Sequence, residues 1–487
     1  MRTKEKTLLF RIGVVLLFCC VCTLLVSVAS ADSGECGENA SWTLDNGCLT
    51  ISGTGDMSDY SWDDSATAPW YSVRRTITSA VIEEGITSIG DFSFSECAML
   101  TSVTLPDSVT SIGDFSFSGC AMLTSVTLPD SVTSIGSYAF SNCWSLTSVT
   151  LPDSLTSIGD VAFNNCWSLT SLTLPDSLTS IGFRAFVNCS SLTSIYIPAS
   201  ITSGSDAFCG SGFTSITLSD SVTSIWSDAF WGCESLTSIH IPDGVTSIGE
   251  GAFSNCSSLA SVTLPDSLTS IGENAFSNCS SLTSIRIPAG VVRGSRAFYG
   301  SGLTSITLPD SATSIWSGAF CGCESLTSIR IPDGVTSIGK DAFSECRSLT
   351  GISIPDGVIS IGYGAFSYCS SLTSIHIPDS VTSIGEYAFS NCSSLTSISI
   401  SNSVMSIVHC AFEECSSLTS VHIPDGVISI GNRAFYNCSS LTSVTIPASV
   451  TSIAADAFSG SDVVLLVTSG SFAETWAINH HVAYRVQ

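Results

Sequence analysis

The sequence predicts an α/β solenoid, a linear stack of short repeats rather than a globule. A period of 23 residues returns sixteen times in a row from Leu100, and the copy at 236–258 reads LTSIHIPDGVTSIGEGAFSNCSS. An imperfect seventeenth copy opens at Ile77, so repeats fill residues 77–462. One such unit has too little apolar surface to bury alone and becomes stable only against its neighbours. We therefore expect a rod or arc of about 17 repeats.

Each repeat, counted from its opening Leu at position 1, predicts three short segments. Apolar residues at positions 1, 4 and 6 predict a strand with one face inward, ended by Pro at position 7 and a turn at Asp or Gly. Val at position 10 and Ile at position 13 predict a second short strand, which ends at Gly at position 14. The segment AFxxC spaces Ala, Phe and Cys by about one helical turn, which predicts a turn of helix with all three inward.

The unit LTSIxIPDxVTSIGxxAFxxCSS resembles the BspA-like class of leucine-rich repeats, found in secreted and surface proteins of bacteria and some protozoa. The preceding stretch resembles the cap region of bacterial members at Cys36-Gly37, Trp42-Thr43-Leu44, residues 49–55, Met57 and residues 68–71. The resemblance implies a leucine-rich repeat arc with a parallel strand ladder on its concave face. It also implies an adhesin that binds host matrix proteins or other cells, although a fold alone does not fix a function.

The two ends of the chain depart from the repeat. Residues 1–31 combine a basic start, an apolar run and Ala29-Ser30-Ala31, which predicts a signal peptide, with an uncleaved membrane anchor as the alternative. Residues 32–76 predict a cap with a β-hairpin around Asn46-Gly47, a pair suited to a type I′ turn. Residues 463–487 predict a second cap, because an open solenoid needs both terminal edges covered. We expect a secreted or cell-surface protein without a membrane span after signal removal.

Charge and motifs exclude several classes of function. The formal net charge is -26, and Lys340 is the single lysine after residue 31. No basic stripe exists to contact phosphates, so nucleic acid is not expected as a partner. No GxSxG, HExxH or phosphate-loop pattern occurs, and each Ser, Asp or Cys is one of many equivalent copies. We predict no enzyme and no cofactor, expect extracellular proteins or cell-surface ligands as partners, and leave the oligomeric state open.

Cysteine recurs at one position of most repeats. Fourteen copies follow an inward Phe by three residues, so we expect small buried side chains with unreactive free thiols. They are Cys97, Cys120, Cys143, Cys166, Cys189, Cys233, Cys256, Cys279, Cys323, Cys346, Cys369, Cys392, Cys415 and Cys438. Cys36 and Cys48 lie outside this column and could form a disulfide. Cys209, Cys321 and Cys410 lie in repeats but off the column, and we consider them candidates for exposed thiols.

A second column is acidic and follows the first strand. Its members are Asp107, Asp130, Asp153, Asp176, Asp220, Asp243, Asp266, Asp310, Asp333, Asp356, Asp379 and Asp425. Carboxylates one repeat apart repel by about 0.8 kcal/mol even in water, so a compensating interaction is expected. Either each Asp bonds the amides of its own turn, or neighbouring carboxylates share calcium. The calcium candidates are Asp107, Asp130, Asp153 and Asp176, although one acid per repeat lacks the interleaved spacing of known calcium loops.

Position 5, on the outward side of the first strand, varies between repeats. It is Thr in four early repeats and then Tyr196, His240, Arg286, Arg330, His376 and His422, with Ser or Thr between them. Our hypothesis is that these six residues mark a recognition surface on a non-enzymatic binding protein. The alternative is neutral variation on an exposed strand, which suits a structural spacer rod without a specific ligand.

Two repeats, 192–212 and 282–302, have only 21 residues and lose an inward Ile and the column Cys. Each is followed by a repeat that reads SIW where others read SIG. Because cavities cost stability in proportion to their volume, we predict that Trp226 and Trp316 fold back to fill the gaps.

Overall fold

The computed structural model describes residues 32–63 and 67–487. Within them the chain forms a parallel β-solenoid of about 18 turns, which confirms the predicted solenoid of leucine-rich repeats. The predicted signal peptide lies outside the described residues. None of the helices in the described part of the chain has the length and apolar character needed to cross a membrane.

The first strands of successive repeats that the structure describes lie side by side in parallel and are grouped into six sheets, which we together call the first-strand ladder. In-register pairing places Ser125 beside Ser148, and the position 3 serines of other repeats pair in the same way. Because strand side chains alternate between faces, Val126 points into the core while Ser125 and Thr127 point to solvent. The strands are Ser79–Ile82, Ser102–Thr104, Ser125–Thr127, Ser148–Thr150, Ser194–Ile197, Ser215–Leu218, Ser238–His240, Ser261–Thr263, Ser284–Arg286, Ser305–Thr307, Ser374–His376, Ser397–Ser399, Ser420–His422, Ser443–Ile446 and Val464–Val467.

The second strands form a parallel ladder of shorter segments. Most of them consist of a partly buried Ser followed by a buried Ile, and the strands pair in register, as Ile135 does with Ile158. The strands are Ile86–Ile89, Ser111–Ile112, Ser134–Ile135, Ser157–Ile158, Ser180–Ile181, Ser224–Ile225, Ser247–Ile248, Ser270–Ile271, Ser314–Ile315, Ser337–Ile338, Ser360–Ile361, Ser383–Ile384, Ser406–Ile407, Ser429–Ile430 and Ser452–Ile453.

The third side of each repeat is a run of turns, where a turn of helix was predicted. In repeat 100–122, Phe115 and Gly119 have φ values of 55° and 74°, and a right-handed helix does not accommodate such residues. The amide of Phe115 donates to the carbonyl of Ser137 in the next repeat at 2.8 Å, and Phe117 donates to Ala139 at 2.7 Å. Backbone bonding between repeats therefore continues on this side, which we call the turn face.

Helix occurs only near the ends of the described residues. The segment Tyr71–Thr76 is a 3-10 helix in the N-terminal part, and Phe472–Asn479 is an α-helix in the C-terminal part. The Ser471 side chain caps the α-helix by accepting from the amide of Glu474 at 3.2 Å. The final strand Tyr484–Val486 then pairs in parallel with Val464–Val467.

A continuous column of stacked phenylalanine rings runs through the core. Centroids of neighbouring rings are 5.0 Å apart for Phe94 and Phe117, and 5.9 Å apart for Phe298 and Phe320. Trp70 lies against the first ring at 5.9 Å, and Trp476 meets the last ring, Phe458, at 6.1 Å. Both tryptophans are buried, so an indole closes the aromatic column at each end.

The column cysteines are free and buried, as predicted. Thirteen of them, from Cys120 to Cys438, also have a role that the sequence did not reveal, because each thiol donates to the Phe carbonyl of the preceding repeat. The Sγ of Cys143, for example, lies 3.2 Å from the carbonyl oxygen of Phe117. In the short repeat 192–212 the Ser211 hydroxyl replaces the thiol and donates to Phe186 at 2.9 Å. Burial raises the pKa of Cys143 to about 12.

The N-terminal residues form a three-stranded antiparallel arrangement that joins the first repeat. The strands are Asp32–Glu35, Ala40–Asp45 and Cys48–Gly53, followed by the short strand Gly55–Asp56. Asn46 and Gly47 both have positive φ, which agrees with the predicted hairpin turn. Strand Cys48–Gly53 pairs in parallel with Ser79–Ile82, so it extends the first-strand ladder. The exact domain limits stay predictions.

The possible disulfide between Cys36 and Cys48 is wrong. Both thiols are free. Cys36 follows the strand whose last residue, Glu35, faces Ser41, whereas Cys48 faces Asp45 at the opposite end of the hairpin. About four to five residues at about 3.3 Å each separate these ends, so the Cα atoms are roughly 15 Å apart. A disulfide requires a Cα separation below about 7 Å.

Trp226 and Trp316 are partly buried and pack against the core, which confirms their predicted role. A Cβ placed on Gly204 of the short repeat would lie 2.9 Å from Cε3 of Trp226, and Gly294 stands in the same relation to Trp316. The indoles thus occupy the space left by the shortened repeats. A small crevice remains beside each indole.

Candidate functional site

The six position 5 residues all lie exposed on the first-strand ladder. They are Tyr196, His240, Arg286, Arg330, His376 and His422. The side chain of Tyr196 is 46% exposed, a large value for an aromatic residue. We call these six side chains the position 5 surface. They lie along the ladder and do not converge on one pocket, so they suit an extended contact.

The six members of this surface stand at every second repeat, with a threonine or a serine at position 5 of the repeat between them. Tyr196, His240 and Arg286 each face a threonine of the next repeat. From Arg330 the ladder continues through Ser353, His376, Ser399 and His422, each paired with the next. Because neighbouring strands are about 4.8 Å apart, large polar side chains recur there about every 10 Å, with a serine between them.

Two arginines of the position 5 surface form ion pairs with the acidic column. The Nη1 of Arg286 lies 2.9 Å from Oδ1 of Asp266, and the Nη1 of Arg330 lies 3.2 Å from Oδ1 of Asp310. In both pairs the carboxylate belongs to the preceding repeat, 20 residues earlier. All four side chains are more than 60% exposed, so each pair contributes little to stability, about 0–1 kcal/mol.

The acidic column lies on the surface beside these residues. All twelve of its aspartates are exposed. Within the described residues, no hydrogen bond joins one of these carboxylates to an amide of its own turn; Asp379 instead accepts from the backbone and side-chain amides of Asn402 in the next repeat, at 3.1 and 3.2 Å. The expected Asx turns are therefore not observed in this part of the chain.

The calcium hypothesis for Asp107, Asp130, Asp153 and Asp176 stays a prediction. Their carboxylates are exposed and stand one per repeat. Across residues 32–63 and 67–487, no group of three or more His, Cys, Asp or Glu side chains is placed to hold a metal ion.

A cluster on the turn face was missed by sequence reasoning. The Tyr387 hydroxyl lies 2.8 Å from Nε2 of His409, and Nδ1 of His409 lies 3.1 Å from the carbonyl oxygen of Asn432. A carbonyl only accepts, so Nδ1 carries the proton and Nε2 accepts from the tyrosine. Cys410 places its Sγ 3.4 Å from the same Nε2.

Cys410 is buried, whereas the sequence suggested an exposed thiol. Burial raises its pKa to about 11, so the thiol is protonated near neutral pH and is a poor nucleophile. The signal that could have found this cluster is the repeat 395–417, which reads IVHCAF where most repeats read IGxxAF. Cys209 and Cys321, the other off-column cysteines, are half-buried free thiols.

Comparison with protein families supports the repeat assignment along most of the chain. The family model described as "BspA type Leucine rich repeat region (6 copies)" matches residues 71–193, 112–235, 202–293, 292–416 and 336–464. A search of the curated proteins found no match.

Solved structures include similar chains from three bacteria. A leucine-rich repeat protein from Bacteroides ovatus is 27% identical, with a TM-score of 0.57, covering 77% of this chain and 94% of that chain. A leucine rich cell surface protein from Faecalibacterium prausnitzii is 28% identical, with a TM-score of 0.38 and coverage of 93% and 98%. A leucine-rich repeat protein from Eubacterium ventriosum is 26% identical, with a TM-score of 0.34 and coverage of 89% and 95%. Of these three structures, the Bacteroides ovatus protein alone has a TM-score above 0.5, so the similarity in fold rests on that structure.

Proposed function

Since this chain belongs to the BspA-type leucine-rich repeat family, we propose that it is a non-enzymatic extracellular protein that binds host or neighbouring-cell proteins through its position 5 surface. The observation that carries the proposal is the contrast between two outward positions of the same strand. Position 3 is serine in nearly every repeat, whereas position 5 changes to Tyr, His or Arg. Both positions are exposed, so core packing does not explain the difference.

The kinds of side chain at position 5 suit protein recognition. Tyrosine and arginine are enriched at the centres of protein interfaces, where they combine apolar contact area with directed hydrogen bonds. The ion pairs to Asp266 and Asp310 hold Arg286 and Arg330 over the ladder in a defined direction. A partner that presents carboxylates or carbonyl groups can replace or share these weak pairs.

The proposed location outside the cell follows from the signal peptide predicted for residues 1–31. Among the described residues, the contact between His409 and Cys410 on the turn face does not point to a catalytic role. Its thiol is protonated near neutral pH and buried, so it does not supply the perturbed reactive group that catalysis requires.

The proposal is tested by returning position 5 to threonine, which several early repeats carry. The variant combines Tyr196→Thr, His240→Thr, Arg286→Thr, Arg330→Thr, His376→Thr and His422→Thr, and the matched control changes Thr104, Thr127, Thr150 and Thr173 to Ser. Binding to immobilised extracellular matrix proteins and to intact cells is measured with and without calcium. We expect the variant to lose binding and the control to keep it. Equal binding by the wild-type protein and the variant would contradict the role of this surface.

The second candidate is a structural spacer rod on the cell surface. It is favoured by the same ion pairs, because Arg286 and Arg330 have their charges compensated within the chain. The continuous aromatic column and the closed ends suit a rod that carries no ligand. Wild-type protein that binds no matrix protein and no cell type in the screen would favour this spacer.

A further inference from the structure

Exposed and partly buried aromatic residues collect on the turn face near the N-terminal end, on a different side of the solenoid from the position 5 surface. Phe92, Phe115 and Tyr138 form one stack, and Trp144 and Trp167 form a second stack. The indole of Trp62 meets the ring of Phe92 edge-on. We call these residues together the N-terminal aromatic surface. Trp62 is 53% exposed, Tyr138 37% and Trp167 42%. The core has its own aromatic column, so this surface is additional to the packing of the repeats.

The first stack is placed at backbone positions that aromatic residues rarely occupy. Phe92, Phe115 and Tyr138 stand at position 16 with φ between 55° and 58°, where other repeats carry Gly251 and Asn274 but also Val161, Arg184 and Tyr387. Left-handed φ is unfavourable for bulky side chains and natural for Asn, Asp and Gly. Three aromatic residues in consecutive repeats therefore depart from the choice that the backbone favours.

Each stack of rings ends within this part of the chain. Phe92 and Phe115 stack at 4.6 Å and Phe115 and Tyr138 at 4.4 Å, so Phe115 has both faces covered. Tyr138 ends this stack, because the next repeat carries Val161 at the same position. Trp144 and Trp167 stack at 5.5 Å, and the repeat after Trp167 carries Ser190. One face of Tyr138 and one face of Trp167 are thus free of any further ring.

Carboxylates accompany these rings. Asp91, Asp114 and Asp160 occupy position 15 of their repeats, directly before position 16. Position 16 is aromatic after Asp91 and Asp114 and is Val161 after Asp160. In the described contacts each uses Oδ1 to accept one backbone amide of the next repeat, at 2.6, 2.6 and 2.7 Å. From residue 59 to 183 the only basic residues are Arg74 and Arg75, and Arg74 is paired with Glu96 at 3.1 Å.

We propose that the N-terminal aromatic surface is a second docking site, whose partner is an arginine-rich, cationic polypeptide segment. Exposed aromatic rings beside carboxylates match the guanidinium group, which stacks on rings and pairs with carboxylates at once. The local excess of acids, on a chain with a net charge of -26, supplies the charge complementarity. This inference goes beyond the proposed function, because it concerns a different side of the repeats and a different partner chemistry.

The test compares the full-length protein with variants made from residues that the repeat already uses. The aromatic variant combines Tyr138→Asn, after Asn274 at position 16, with Trp167→Ser, after Ser257 at position 22. The matched control is Tyr368→Asn, an exposed aromatic on the turn face far from this surface, at a position where Asn391 stands in the next repeat. None of these changes alters the net charge. Circular dichroism and thermal melts establish that each variant is folded.

Binding of a fluorescein-labelled oligoarginine peptide is measured by fluorescence anisotropy at constant ionic strength. We expect the aromatic variant to bind about tenfold more weakly and the control to bind like the wild type. Asp160→Asn, which keeps the acceptor for Phe183, is expected to weaken binding and reduce its dependence on salt. The position 5 variant is expected to keep peptide binding.

Three results would overturn the proposal. The first is equal affinity of the wild-type protein and the aromatic variant for the peptide, which would mean that nonspecific charge attraction alone accounts for the binding. The second is the absence of saturable peptide binding by the wild-type protein. The third is saturable binding of a neutral oligosaccharide that the aromatic variant alone loses, which would assign the surface to glycans.

Discussion

The Sγ atom of Cys120 lies 3.2 Å from the carbonyl oxygen of Phe94, a residue 26 positions earlier in the neighbouring repeat. The thiol therefore has a directional partner as well as an apolar environment. The same contact recurs along the column, for example from Cys256 to Phe230 and from Cys392 to Phe366. Each repeat is tied to its predecessor at the point where the aromatic rings also stack.

This contact distinguishes two substitutions of similar size. Cys143→Ala removes the donor and leaves a small cavity, so we expect a loss of about 2 kcal/mol in the free energy of unfolding. Cys143→Ser keeps a donor, as Ser211 and Ser461 do in their repeats, and is expected to cost less. Chemical denaturation followed by circular dichroism measures both. Equal losses for the two variants would mean that the hydrogen bond contributes nothing.

The buried thiols make stability depend on alkaline pH. Burial raises the pKa of Cys143 from 9.0 to about 12, and Cys189 and Cys369 are raised likewise. Between these values the unfolded chain loses thiol protons that the folded chain keeps, so the folded state loses stability as pH rises above 9. Each thiol contributes a slope of about 1.4 kcal/mol per pH unit in that range.

The expected observation is a Tm that falls steeply between pH 9 and pH 11 in the presence of a reductant. A variant with Ser at Cys143, Cys189 and Cys369 lacks three of these thiols and is expected to show a shallower decline. Parallel curves for the two proteins would show that the column thiols do not control the alkaline transition.

The tryptophans beside the short repeats are expected to be structural. Trp226→Ala reopens the space against Gly204, and we expect a loss of about 2–3 kcal/mol. Trp231→Ala is the matched control, because this indole in the same repeat is 42% exposed. Thermal melts compare the two. A larger loss from the exposed indole than from Trp226 would contradict the gap-filling role.

Trp70 is expected to control the stability of the N-terminal end. It is fully buried against Phe94, and its indole N–H donates to the carbonyl of Ser93 at 2.7 Å. Trp70→Ala is expected to cost about 3–5 kcal/mol and to expose the first ring of the column. Hydrogen exchange should show the loss of protection starting in the first repeats, whereas Trp62→Ala should leave that region protected.

The surface ion pairs are expected to leave stability unchanged. Arg286→Thr breaks the contact with Asp266 between two largely exposed side chains, so the Tm should change by no more than the equivalent of about 1 kcal/mol. The same variant separates binding from folding, because any loss of partner binding then reflects the surface itself. A large fall in Tm at moderate salt would show that the pair supports the repeat stack.

The sequence was sufficient for the features that repeat. The period determined the stack, and the recurrence of Cys after Phe correctly predicted a buried column. The turn face was harder to predict, because the spacing of Ala, Phe and Cys fits an inward helical turn as well as a left-handed turn. Only the φ values of residues such as Phe115 separate the two.

Contacts between side chains of different repeats could not be predicted from the sequence either. The pairing of Arg286 with Asp266 depends on an offset of 20 residues that no local pattern displays. Cys36 and Cys48 are close in sequence, yet the register of the hairpin holds them at opposite ends. The exposed aromatic stacks arise from residues one repeat apart, so they become visible only when the repeats are superimposed.

The hydrogen bonds of the turn face give this solenoid a modular length. Since a repeat exchanges equivalent bonds with the repeat before it and the repeat after it, a unit copied or deleted by recombination leaves the same contacts at the new junction. Repeats 169–258 and 259–348 share such a pattern, including the short repeat and the tryptophan that follows it. Each added unit lengthens the molecule by about 4.8 Å without touching either closed end. The length of the protein can therefore change between generations while its fold stays the same.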